Sequence, residues 1–214
     1  MSSIHLHKYI AEAFGTFALA TLVSTSMLVP GFPTPIIAAL TLGLMVYIVG
    51  PISGTHINPA VTIGMWSVKK ISTKEASYYI GAQVVGALLA LAHAYAFYGK
   101  SSSPVMTQTA SVLDIEMSQF LGEAVGAFLL TLGVASVVFK RVNETASGLV
   151  IGGSLLLGII AASPLSLGFL NPAVAIGNGA LTWQHILGPI VGAVLSALLF
   201  RYFHTSELGH VKEA

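Results

Sequence analysis

The sequence predicts an all-α membrane protein: six transmembrane helices, two re-entrant half-helices and an inverted internal repeat. Three observations predict it. First, nine Lys or Arg and eight Asp or Glu make up only 8% of the 214 residues, while 55% are hydrophobic and the mean hydropathy is +0.84. A soluble domain carries about 25% charged residues, and a chain this poor in polar groups cannot coat a soluble globule without broad sticky patches. Second, six apolar stretches approach the length of a spanning helix. Third, two distinct motifs each occur twice at almost the same spacing. Together these exclude a soluble enzyme, a nucleic-acid binder and a disordered chain.

The apolar stretches fall at about 9–29, 35–50, 77–98, 117–139, 146–164 and 186–203. A span needs about 20 residues, so six use about 120 and leave room for connections. The first stretch contains Glu12 and lacks a small-residue cleavage site near its end, so it is expected to be a span rather than a removable signal peptide. A Pro-rich turn (Pro30 to Pro35) follows it. A basic segment (Lys69, Lys70, Lys74), a Ser/Thr-rich loop (Lys100 to Ser111) and the run Lys140-Arg141-Val142-Asn143-Glu144 make later breaks. Two further stretches, 59–68 and 172–181, are apolar but too short to cross a bilayer alone. The chain has no cysteine, which excludes a disulfide framework and thiolate chemistry. A net charge of +1 implies no polyanionic partner.

Basic residues set the orientation. With the N-terminus inside, Lys8, Lys69, Lys70, Lys74, Lys140, Arg141, Arg201 and Lys212 all face the cytoplasm and only Lys100 lies outside. Both termini are therefore expected to be cytoplasmic.

The halves repeat. Ala11-Glu12-Ala13-Phe14-Gly15 recurs as Gly122-Glu123-Ala124-Val125-Gly126, 111 residues on, and Asn58-Pro59-Ala60-Val61 as Asn171-Pro172-Ala173-Val174, 113 residues on. Three spans separate each element from its copy, and an odd number inverts the second copy in the membrane. The expected organisation is one channel domain, 1–214, built from repeats at about 8–98 and 117–204.

Short apolar segments at matching places in inverted halves point to a transport site. Asn is a favoured N-cap whose side-chain oxygen accepts a first-turn N–H, and Pro at the first helical position loses no hydrogen bond. Each Asn-Pro pair therefore starts a half-helix in mid-membrane, and each Asn amide keeps its N–H groups to donate into a pore. Two inverted half-helices bring both positive dipole ends to the bilayer centre, an arrangement that repels cations and protons. Asn58, Pro59, Ala60, Asn171, Pro172 and Ala173 are the expected pore centre. A single Asn-Pro-Ala would read as an ordinary helix start; the duplication, with Ser53-Gly54-Thr55-His56-Ile57 leading into the first copy, makes that reading untenable.

On these residues the chain resembles the major intrinsic protein family, the aquaporins and their solute-conducting relatives, whose pores are themselves the standing example of such dipole selectivity. Ala82-Gln83-Val84-Val85-Gly86-Ala87 and Gly188-Pro189-Ile190-Val191-Gly192-Ala193 add to the likeness, which covers almost the whole chain. The resemblance implies an aquaporin-like fold, a pore within each protomer, a homotetramer in lipid and no metal or cofactor, and the cell membrane is the expected location. It implies that Glu12 and Glu123, intramembrane carboxylates and so functional suspects, accept N–H groups from the two re-entrant loops, whose irregular backbone needs partners inside the membrane. It places His56 near the cytoplasmic side of the pore, where lining or gating and plain loop packing both remain open.

One departure stands out. Water-selective members have Arg after the second Asn-Pro-Ala; here Val174 takes that place, and the matching constriction positions are Ala38, Ile159 and Gly168. That ring has no charge and no side-chain donor, so a wider opening is expected, passing water and small neutral solutes such as ammonia, urea or hydrogen peroxide. Ala175 stands where glycerol facilitators have Asp, which disfavours glycerol on motif though not on size.

Small residues four apart (Ala11/Gly15, Ala82/Gly86, Gly122/Gly126, Gly188/Gly192) are read as close helix packing. His93, His185 and His204 share no metal-ligand spacing and are read as interfacial or packing residues, and Trp66 and Trp183 as anchors at half-helix ends. Against the passive channel stand three alternatives. An ion-coupled transporter needs a free carboxylate at the substrate. A gated or non-conducting structural member fits the lost arginine, but both intact Asn-Pro-Ala motifs argue against it. An enzyme built on Ser53 and His56 lacks a third partner.

Overall fold

The computed structural model describes residues 3–99 and 114–212, with side chains over 6–99 and 114–205; the Ser/Thr-rich loop from Lys100 to Ser111 lies outside the described residues, as does the side chain of Lys212. Every regular element described is helical. In chain order they are α1 (Ser3–Leu28), α2 (Thr34–Ile48), α3 (Gly50–Ser53), α4 (Pro59–Ser67), α5 (Thr73–Tyr98), α6 (Ile115–Val138), α7 (Ser147–Ala162), α8 (Pro172–Gly177) and α9 (Trp183–Lys212).

Among the described residues five helices are long and apolar enough to cross a membrane: Leu6–Leu28, Thr73–Tyr98, Ile115–Val138, Trp183–Thr205 and Glu144–Ala162, the last counting the 3₁₀ turn ahead of α7. The remaining expected span, 35–50, is the 15-residue apolar α2. It stops at Ile48 because Pro51 lacks an N–H and its ring crowds the carbonyl four residues back; α3 then adds one offset turn. The short segments form half-helices, and both are shorter than the sequence suggests. α4 has nine residues and α8 has six, because Asn178 closes α8 with its backbone N–H and its Nδ2 both on the Val174 carbonyl and Gly179 turns at φ 69°.

The packing has a twofold logic. α1 lies along α5 and α6 along α9; α2 crosses α7; α4 rests on α9 and α8 on α5. Exchanging the halves maps each of these pairs onto another or onto itself. Small residues make the approaches possible. A Cβ on Gly86 would collide with the Ala13 carbonyl, one on Gly192 with the Ala124 carbonyl, and one on Gly43 would sit 2.8 Å from the Gly148 carbonyl oxygen. The outer faces are apolar, with Phe97 and Leu149 about three-quarters exposed, whereas the interior holds buried hydroxyls and amides such as Thr16, Gln83, Ser118 and Thr131. That inside-out pattern suits a hydrocarbon solvent, in which exposed apolar groups cost nothing.

Candidate pore

Each half-helix starts as its residues dictate. Asn58 sits in extended backbone and its Oδ1 accepts Ala60 N–H at 2.8 Å and Val61 N–H at 3.4 Å; Asn171 does the same for Ala173 at 3.0 Å and Val174 at 3.4 Å. The amides then cross between halves. Asn58 Nδ2 donates to the Leu170 carbonyl at 2.9 Å, and Asn171 Nδ2 donates to the Ile57 carbonyl at 3.0 Å. One of the two N–H groups on each amide is thus spent on the opposite loop, and one is left per Asn rather than the two the sequence suggests.

The residues ahead of each Asn are held in unusual backbone. Ile57 has φ 36° and Leu170 φ 54°, two single residues in the left-handed region that side chains of their size rarely take. Thr55 at φ 51° and Gly168 at φ 67° repeat the pairing two residues earlier. Such strain persists only where surroundings over-determine it, and here the carboxylates do so. Glu12, fully buried, accepts Ser53 Oγ at 2.7 Å, His56 N–H at 2.9 Å, Ile57 N–H at 2.6 Å and Gln83 Nε2 at 2.8 Å. Glu123, also fully buried, accepts Ser166 Oγ at 3.0 Å, Phe169 N–H at 3.0 Å and Leu170 N–H at 2.6 Å. Ser53 therefore has its hydroxyl engaged by a carboxylate, which removes it as a nucleophile partner of His56.

Between the two Asn residues runs a cavity of about 40 Å³, room for roughly three waters at 10–15 Å³ each. His56, Asn58 and Asn171 are its main polar wall, and α1, α2, α6 and α7 contribute aliphatic side chains such as Leu19, Leu130 and Leu155. Ala38, Ile159, Gly168 and Val174, four positions on three separate helices and a loop, all line it. Pro59, Ala60, Pro172 and Ala173 do not; they are buried inside the half-helix starts, so only the Asn of each triplet faces the cavity. His56 faces the cavity while its Nδ1 lies 3.1 Å from Thr62 Oγ1 and its ring meets Tyr79 edge-on. Glu12 and Glu123 stand behind the wall.

Sequence reasoning missed Ser53 and Ser166 as carboxylate partners, although both lie five residues before an Asn and share its 113-residue offset. It also placed the tryptophans too simply. Trp66 does close α4, its Nε1 on Thr73 Oγ1, but Trp183 opens α9 and donates to Glu116 on α6.

A helical membrane bundle with two capped half-helices meeting at a narrow cavity defines a membrane channel for water or small solutes. The chain belongs to the major intrinsic protein family, whose family model matches residues 1–200. It is 34% identical to Aquaporin AqpM of Methanothermobacter marburgensis, over 94% of this chain and 98% of that one. It is 36% identical to the glycerol uptake facilitator protein-like 6 of Lactiplantibacillus plantarum, over 94% and 100%, and 32% identical to Aquaporin NIP1-1 of Zea mays, over 90% and 73%. The X-ray structure of the aquaglyceroporin from Plasmodium falciparum superposes with a TM-score of 0.63 at 19% identity, covering 98% of this chain and 100% of that one. The family consists of transport channels rather than enzymes, and the chain is an integral membrane protein.

Proposed function

We propose that this chain is a passive channel for water and for small neutral solutes such as ammonia, urea and hydrogen peroxide. The observation that carries the reading is the composition of the cavity at the half-helix starts: amide donors of Asn58 and Asn171, and the uncharged ring of Ala38, Ile159, Gly168 and Val174. The half-helix dipoles, positive ends inward, exclude cations and protons. With no arginine in the ring, those dipoles are the principal barrier to cations and the opening is set by small apolar side chains. Asn58 and Asn171 form the pore centre, with Pro59, Ala60, Pro172 and Ala173 shaping the half-helix starts behind them; His56 is a lining or gating contact, and Glu12 and Glu123 are the loop supports. The domain is one unit of two inverted repeats, about 8–98 and 117–204. It works as a homotetramer in the cell membrane with both termini in the cytoplasm.

Identity with a glycerol uptake facilitator-like protein favours a second reading, a glycerol-type facilitator; Ala175 opposes it. Stopped-flow light scattering on proteoliposomes separates the two. Protein-dependent flux of water, urea and ammonia above empty vesicles, with little for glycerol, is the expected result. Val174→Arg narrows the ring and should lower urea flux severalfold while water flux persists. Unchanged urea flux in that variant counts against Val174 as part of the constriction.

A further inference from the structure

The two buried carboxylates are held alike but not equally. Glu12 takes four donors, the fourth being Gln83 Nε2 from α5. Glu123 takes the counterparts of the first three and has no amide in the matching place. The 106-residue offset that relates Gly86 to Gly192, each packed on its own Ala carbonyl, puts Pro189 opposite Gln83, and Pro has no side-chain donor.

His185 stands beside that gap. By the same offset it matches Tyr79, and its ring meets Phe169 edge-on at 5.2 Å just as Tyr79 meets His56 at 5.3 Å. It is 3% exposed. Its Nδ1 lies 2.9 Å from Thr182 Oγ1, whereas its Nε2 is buried without a hydrogen-bond partner and faces Glu123 Oε1 at 3.8 Å. The sequence from 145 to 200 carries no Asp, Glu, Lys or Arg. At this end of α6 the other acids are engaged, Asp114 with Met117 N–H and Glu116 with Trp183 Nε1. Glu123 is thus the carboxylate left for this ring.

We propose that His185 is a positioning residue for the second re-entrant loop, the imidazole substitute for Gln83. On this assignment the ring hydrogen sits on Nε2, aimed at Glu123 Oε1, and Nδ1 accepts the Thr182 hydroxyl. A tilt of under about 1 Å brings that N–H to hydrogen-bond length. Oε1 also holds Ser166 and Phe169, and Phe169 and Gly168 line the cavity. His185 therefore acts on the ring through Glu123 and touches no solute.

Two substitutions separate donation from packing. His185→Gln keeps an N–H donor of similar reach, the group that Gln83 uses; His185→Phe keeps a ring and loses the donor. Backbone hydrogen–deuterium exchange on the full chain in lipid nanodiscs reads the loops directly. Exchange at Ser166–Leu170 should quicken about fivefold in the Phe variant, the factor expected for losing one ordinary hydrogen bond, and stay near wild type in the Gln variant, with Ser53–Ile57 unchanged in both. In proteoliposomes the urea-to-water permeability ratio should move in the Phe variant and not in the Gln variant. Wild-type behaviour in the Phe variant, or quickened exchange in the Gln variant, overturns the proposal. The permeability arm rests on the channel reading above; the exchange arm does not, so a chain that conducts nothing still decides the role of His185.

Discussion

At the scale of single residues, the weight of this molecule falls on two carboxylates and two amides. Glu12 Oε1 and Oε2 face only donors. Glu12→Gln replaces one of these oxygens with an NH₂ group, so one backbone N–H and one side-chain donor lose their acceptor, at about 1–3 kcal/mol each. A loss of roughly 3–5 kcal/mol is expected, visible as a lower thermal unfolding midpoint in detergent. Glu75→Gln is the contrasting case. It breaks the Lys8–Glu75 pair at 2.7 Å, which is about one-third exposed, and should cost under about 1 kcal/mol. Asn171→Asp keeps the cap oxygen and removes the donor to the Ile57 carbonyl. It also places a negative charge at the meeting of the positive helix ends, so cation currents should appear in planar bilayers where the parent chain gives none. The Asn residues were legible because an N-cap followed by Pro has one local meaning. Their reach across to Leu170 and Ile57 was not, since a hydrogen bond over 112 or 114 residues leaves no pattern in neighbouring sequence.

At the scale of elements, glycine sets the distances. Gly192 packs directly on the Ala124 carbonyl, whereas Gly153 on α7 has nothing within 4 Å of an added Cβ. Gly192→Ala should push α9 from α6 and lower the unfolding midpoint by several degrees; Gly153→Ala should leave it unchanged or slightly higher, in line with the helix preference for Ala. Thermal scans of the two variants side by side check both. The long helices were readable from apolar length, with ends within a few residues of the apolar stretches except for α1 and α9, which extend to Ser3 and Lys212. Where apolar length stopped being informative, the reading slipped. Pro51 cut the second stretch short, and α8 ended four residues before its apolar run did, because Asn178 competes for the last carbonyls. Those events are set by hydrogen-bond competition at one position, which hydropathy does not register.

At the scale of the whole molecule, both buried carboxylates are occupied by loop donors, and among the described residues no acid lines the cavity to couple flux to an ion. Water and solute flux should therefore be unchanged when ionophores collapse a proton or sodium gradient across the vesicle, and a fall in flux would revive the coupled-transporter reading. The bundle as a whole was legible from duplicated motifs, because inversion follows from counting spans. The assembly of one shared cavity from Ala38, Ile159, Gly168 and Val174 took the resemblance as well as the count, since no local pattern joins α2, α7 and the second loop. The exchange of amides between the two loops also bears on how the chain is made. Ile57 is synthesised 114 residues before Asn171, a delay of roughly 6–23 s at ordinary synthesis rates. Throughout that interval its carbonyl and the Asn58 amide have no partner of their own, and an unmet polar group in hydrocarbon costs several kcal/mol. The first half-helix therefore gains the last of its hydrogen-bond partners only when its late-born twin arrives.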